Sequence, residues 1–140
     1  MYGVEVTDLK KISVLGGDVL HAMKSSELKN GVFGEAYFSF IKFRHIKGWK
    51  LHTQMTMNLI VPVGAVLFVF YSEDKKRFDS VEVGERNYVR LTVAPNIWFA
   101  FQGLAAKDSL ILNIANIPHD PLESLKKEIS EFAYDGWRSL

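Results

Sequence analysis

Apolar and polar residues alternate along most of this chain, in short runs separated by turn-forming residues. Residues 35–44 (EAYFSFIKFR), 50–61 (KLHTQMTMNLIV), 66–71 (VLFVFY), 88–94 (YVRLTVA) and 109–116 (SLILNIAN) are rich in branched and aromatic side chains, which predicts strands. Glycine, proline or charged residues break the pattern at 45–48, 62–64, 72–76, 84–87 and 105–108. Short strands at such spacing predict an all-β sandwich or barrel. One segment has a different period. Leu122, Leu125, Ile129 and Phe132 recur at helical spacing through charged surroundings and predict a short C-terminal helix packed by one face on the sheet. Asp120 suits its cap, Pro121 its first position, and Glu123 completes a pattern like a capping box.

The alternation over 50–61 has two faces: Lys50, His52, Gln54, Thr56 and Asn58 on one, Leu51, Met55, Met57, Leu59 and Val61 on the other. A polar stripe is commonly the wet outer face of an antiparallel sheet. In a small barrel it can instead line a pocket, with the apolar face turned outward. The preceding segment adds Glu35, Tyr37 and Ser39 on one face. If the turn at 45–48 makes the two strands partners, a carboxylate, a phenol, a hydroxyl, an imidazole and amides converge as they do in ligand sites.

Charge is balanced over the whole chain, 17 Lys+Arg against 16 Asp+Glu, which argues against a protein that coats nucleic acid or an anionic membrane. It is uneven locally. No acidic residue occurs from Ala36 to Ser72, while Lys42, Arg44, Lys47 and Lys50 crowd together near His45 and His52. Such an edge is either a solvated strand protected from aggregation or a field that attracts a phosphorylated ligand. The aromatic run Trp98–Phe101 has no basic residue interleaved and reads as core rather than as a base-stacking platform.

The 140 residues suit a single domain spanning 1–140, and no repeat or linker divides them. With no cysteine, disulfides, thiolate metal ligands and a cysteine nucleophile are all excluded. The opening MYGVEVTDLKKI lacks the features of a secretory signal, so the cytoplasm is the expected compartment. The longest apolar run, Leu59 to Tyr71, is too short for a spanning helix and contains Pro62 and Gly64. A barrel metal site would need imidazole or carboxylate where this chain offers His52, Gln54 and Asn58, with no late histidine near Ile97–Ala100. No metal and no cofactor are expected. His21, His45 and His119 are isolated in their local patterns.

The phrases GDVLHAMKSSE, FGEAYFSF, KGWKLHTQMTMNLIVPVG, NYVRLTVAPNIWFAF, NIANIPHDP and AYDGW resemble, in one order from about Gly16 to Trp137, the dTDP-4-dehydrorhamnose 3,5-epimerase-like family of cupins. The resemblance implies a jelly-roll β-barrel and an epimerase or isomerase acting on a 4-keto-deoxy sugar nucleotide in cell-surface polysaccharide biosynthesis. The family's R-G-L-H-x-Q phrase, whose histidine removes a proton beside the keto group, is matched by His52 and Gln54, with Trp49 and Lys50 in place of arginine and glycine. Its F-x-Q-x-N-x-S strand is matched by Phe33 and Ser39, with Glu35 and Tyr37 replacing the amides. The family's catalytic lysine falls near Met57 or Asn58 and its tyrosine near Asn116 or Ile117, so both are altered here. Asp135 is the candidate for the carboxylate that orients the base.

Inverting a carbon beside a ketone needs a base, an enolate stabiliser and an acid. The expected catalytic set is His52 as base, Lys50 as stabiliser and Tyr37 as acid. Glu35, Ser39, Arg44, Gln54 and Asn58 are expected to bind the substrate. The alternative is a cupin that binds a sugar or sugar nucleotide without chemistry. The apolar face of 50–61, if turned outward, asks for cover, so a homodimer is expected.

Overall fold

The computed structural model describes residues 1–139. In chain order the strands are β1 (Val4–Asp8), β2 (Lys11–Ile12), β3 (Val19–Leu20), β4 (Glu35–Ile41), β5 (Ile46–His52), β6 (Met57–Val63), β7 (Ala65–Ser72), β8 (Arg77–Gly84), β9 (Val89–Val93), β10 (Trp98–Gly103), β11 (Ser109–Ala115) and β12 (Ser124–Lys126). Two antiparallel five-stranded sheets, ordered β1-β9-β6-β11-β4 and β12-β5-β10-β7-β8, form an all-β cupin jelly roll, and β2 and β3 make a small separate hairpin. The sheets remain two open layers rather than a closed barrel. β1, β8 and β10 were absent from the periodicity reading. Charged residues on the outer face of β8 and the unbroken aromatic run of β10 hide the two-residue period there.

The apparent strand 50–61 is two strands in different sheets. Residues 53–56 carry the chain from one layer to the other, and the last three of their N–H groups go to side chains instead of a neighbouring strand: Gln54 and Met55 to the Glu123 carboxylate, Thr56 to Asn116 Oδ1. This crossing shifts the alternation by one residue. Lys50 and His52 face the space between the sheets, and after the crossing Met57, Leu59 and Val61 do. The apolar set on β6 is therefore core, not an outer surface.

β4 and β5 are not partners either. β4 pairs along its length with β11, from Ile41 opposite Ser109 to Glu35 opposite Ala115, whereas β5 lies between β10 and β12. They meet across the interior, which brings the polar residues of both strands toward one space by a different route.

The predicted C-terminal helix is replaced by two 3₁₀ turns, Pro121–Glu123 and Ile129–Glu131, on either side of β12. The start is capped as expected, Asp120 Oδ1 accepting from Leu122 N at 3.0 Å. Beyond it, the open edge of β5 takes the chain: Ser124, Leu125 and Lys126 align with His52, Leu51 and Lys50. A short amphipathic helix is marginal alone, so strand pairing prevails over local periodicity. The following residues wrap the outside of the second sheet, where Phe132, Tyr134 and Trp137 pack with Trp49, Leu51 and Trp98. Trp49 is wholly buried there, its indole donating to Ile129 O at 3.1 Å. The outer apolar face of β5 is thus covered by the chain itself.

Candidate active site

The space between the sheets is filled by Leu59, Phe68, Leu91, Phe99 and their neighbours except for a cavity of about 260 Å³. Tyr37 and Ser39 of β4 and Asn113 of β11 line it from the first sheet, and Lys47, Lys50 and His52 of β5 from the second. Lys126 of β12 stands at its mouth, opposite Lys50 in register. Of the residues proposed from sequence, His52, Tyr37, Lys50 and Ser39 are brought together.

The other four stand elsewhere. Gln54 is exposed in the crossing segment. Asn58, after the shift of phase, is buried on the opposite face of the first sheet, donating to Ile114 O and accepting from Thr92 Oγ1. Glu35 accepts from His119 N. Arg44 adopts a left-handed conformation after β4 with its guanidinium over the Phe43 ring. None of the four lines the cavity.

His52 is buried, and its Nδ1 lies 2.7 Å from Glu123 Oε1. The second carboxylate oxygen accepts from Gln54 N at 3.0 Å and Met55 N at 2.9 Å, while Glu123 O receives Thr53 N and Thr53 Oγ1. One carboxylate thereby closes the crossing segment and orients the imidazole, a task assigned from sequence to Asp135, which is exposed within the C-terminal wrap. Glu123 was missed because its place in a capping pattern accounted for it locally. No sequence pattern ties it to a histidine 71 positions away.

Burial lowers His52 below the ordinary imidazole value, against the upward pull of the hydrogen bond and charge of Glu123. Burial alone would raise Glu123, but the hydrogen bonds from His52, Met55 and Gln54 outweigh it and hold the carboxyl below its ordinary range. At neutral pH the pair is therefore an imidazole with Nδ1–H donating to a carboxylate, leaving Nε2 as the basic nitrogen. Desolvation and, next, the Lys126 ammonium lower Lys50. With Lys47, three amines line the cavity and no carboxylate does; the Glu123 carboxylate stands behind His52. The cavity is built for an anion.

The cavity is smaller than the roughly 300–1,000 Å³ usual for drug-sized ligands. Gly48, Lys50 and Lys126 also line an outer groove of about 610 Å³, together with Lys127, Ile129, Glu128 and Glu131. Among the described residues no three His, Cys, Asp or Glu side chains gather as a metal site requires. Nor, among the described residues, is any helix long and apolar enough to cross a membrane.

Scans against protein-family models and against curated proteins find no match. Solved structures do match. A dTDP sugar isomerase from Desulfovibrio desulfuricans G20 is 32% identical, with 93% of this chain and 87% of that one covered at a TM-score of 0.87. A dTDP-4-dehydrorhamnose 3,5-epimerase from Sulfolobus tokodaii is 18% identical over 96% of this chain and 82% of that one, TM-score 0.80. The 3,4-ketoisomerase QdtA from Thermoanaerobacterium thermosaccharolyticum, in complex with TDP, is 17% identical over 94% and 96%, TM-score 0.77. The last two share the fold, and the first is near enough in sequence to share descent. With the fold, the matched phrases around His52 and that identity all in agreement, the chain belongs to the dTDP-4-dehydrorhamnose 3,5-epimerase-like family of cupins.

Proposed function

We propose that this protein is an epimerase or isomerase of a 4-keto-deoxy sugar nucleotide, working by proton transfer beside the keto group. The observation that carries the reading is the buried His52–Glu123 pair set into the wall of a lysine-lined cavity. The sugar ring occupies the cavity, and the diphosphate and nucleoside extend past Lys50 and Lys126 into the outer groove. His52 Nε2 removes the proton on the carbon next to the ketone, and Glu123 stabilises the imidazolium that results. Lys50 faces the enolate oxygen and offsets its charge. Tyr37, from the opposite sheet, returns a proton to the enolate. The D. desulfuricans relative, a dTDP sugar isomerase, supports the dTDP sugar as substrate class. Cell-surface polysaccharide biosynthesis is the setting for such a sugar, and the cytoplasm, where sugar nucleotides are made, the compartment.

The test is hydrogen exchange. In heavy water the protein should replace the hydrogen beside the keto group of a dTDP-4-keto-6-deoxy sugar with deuterium, as followed by NMR. His52→Asn should abolish exchange while binding of dTDP stays within about tenfold, about 1.4 kcal/mol. Binding without exchange by the wild-type protein would make it a sugar-nucleotide binder instead.

A further inference from the structure

Asn113 sits on β11 directly opposite Tyr37 of β4, buried, at the wall of the cavity. Its amide makes two polar contacts that decide each other: Oδ1 accepts from the backbone N–H of Asn58 at 3.1 Å, and Nδ2 donates to the Tyr37 hydroxyl at 2.9 Å. The orientation of an amide is often ambiguous, but here it is not. A flipped amide would set its NH₂ group against the Asn58 N–H, donor against donor. The aligned pairs of β6 and β11 end at Leu59 opposite Asn113, so the Asn58 N–H lies past that ladder and meets the amide instead. The remaining amide hydrogen points toward Met55 Sδ, 3.8 Å from Nδ2.

The consequence falls on the phenol. Since the Tyr37 oxygen accepts from Asn113, its own hydrogen must be directed elsewhere, and among the described residues no protein group receives it. We infer that Asn113 is a positioning residue that holds Tyr37 as a hydrogen donor into the cavity and stabilises the phenolate left after the proton is given up.

This inference rests on the proton-transfer reading of the same site and specifies its second half. In the forward direction His52 takes the proton, and the C–H electron pair passes into the enolate. The enolate then forms a new bond to the Tyr37 hydrogen, whose O–H electron pair stays on the phenolate under the Asn113 N–H. Water reprotonates the phenolate, and the imidazolium loses its proton to water, so the site is restored with no other reactant.

Asn113→Asp tests it with almost no change of shape. A carboxylate can still accept from the Asn58 N–H, but it also accepts from the phenol, turning the Tyr37 hydrogen away from the ligand. Product formation should fall by about 10²-fold or more, the range expected for loss of a general acid. Exchange at the carbon that His52 deprotonates should persist, and dTDP binding should hold within about tenfold. Tyr37→Phe should show the same split, and the double variant should be no worse than either single one. If the Asp variant does not fold, Asn113→Ser removes the amide donor and should show the same separation of exchange from product formation. Additive losses in the double variant, or exchange and product formation falling together, would overturn the role of Asn113. Absence of exchange in the wild-type protein would instead overturn the proton-transfer reading.

Discussion

Glu123 serves the backbone and the imidazole with one carboxylate, and the two uses have separable signatures. Glu123→Gln keeps a group that can meet His52 or the Gln54 and Met55 N–H groups but not both as a carboxylate does. Turnover should fall on the order of 10²–10⁴-fold as the imidazole loses its fixed tautomer. Removing the anion also removes the upward pull on His52, so the acid limb of kcat/KM should move to lower pH. Stability carries the same pair. Both groups are lowered on folding, so each stabilises the protein above its unfolded value and loses that contribution as pH falls through its folded value. The loss begins below about 6.5 for His52 and about 4.5 for Glu123. Thermal melts across this acid range should show the decline in the wild-type protein and a shallower one in His52→Asn. An unchanged slope would detach His52 from acid stability. His52 was legible from sequence because both its alternation and its phrase marked it. Glu123 was not, because its partnership exists only across the fold.

Among the elements, the segment after Asp120 shows where periodicity misleads. Leu122, Leu125, Ile129 and Phe132 suggest one buried helical stripe, yet Leu122 is 91% exposed and Phe132 packs edge-on to Trp49 and against Tyr71 and Trp98. Leu122→Ala should therefore change stability by no more than about 0.5 kcal/mol, while Phe132→Ala should cost about 2 kcal/mol, less than the full 3–5 of a wholly buried phenylalanine. Denaturant melts of the two variants decide it, and equal costs would restore the helix. The strands 35–41, 65–72, 89–93 and 109–115 were readable because branched and aromatic residues fill them between turn-forming segments. The run 50–61 was misread because a change of sheet that also changes phase leaves a polar–apolar pattern that still looks continuous.

For the molecule as a whole, the jelly roll was accessible from strand spacing and from matched phrases, but its surface was not. The apolar face thought to need a partner is split between the core and the C-terminal wrap. The edge strand β4 leaves two aromatic rings uncovered, Phe38 63% and Phe40 61% exposed. An open edge bearing two aromatic rings invites pairing, so a homodimer is still the expected state, now through β4 rather than β5. Light scattering at low micromolar concentration should give twice the chain mass, and Phe40→Lys should return it to one. A wild-type monomer would show that the edge stands alone.

The position of Glu123 also has a bearing on how the protein comes into being. By the time a ribosome has added Ala115, every strand of the first sheet and all but one of the second have been synthesised, His52 among them. The carboxylate that orients the imidazole and the strand that borders it follow later. The base is thus made long before its partner, and a nascent chain with both layers almost complete has a cavity with a histidine in it but no means of aiming that histidine.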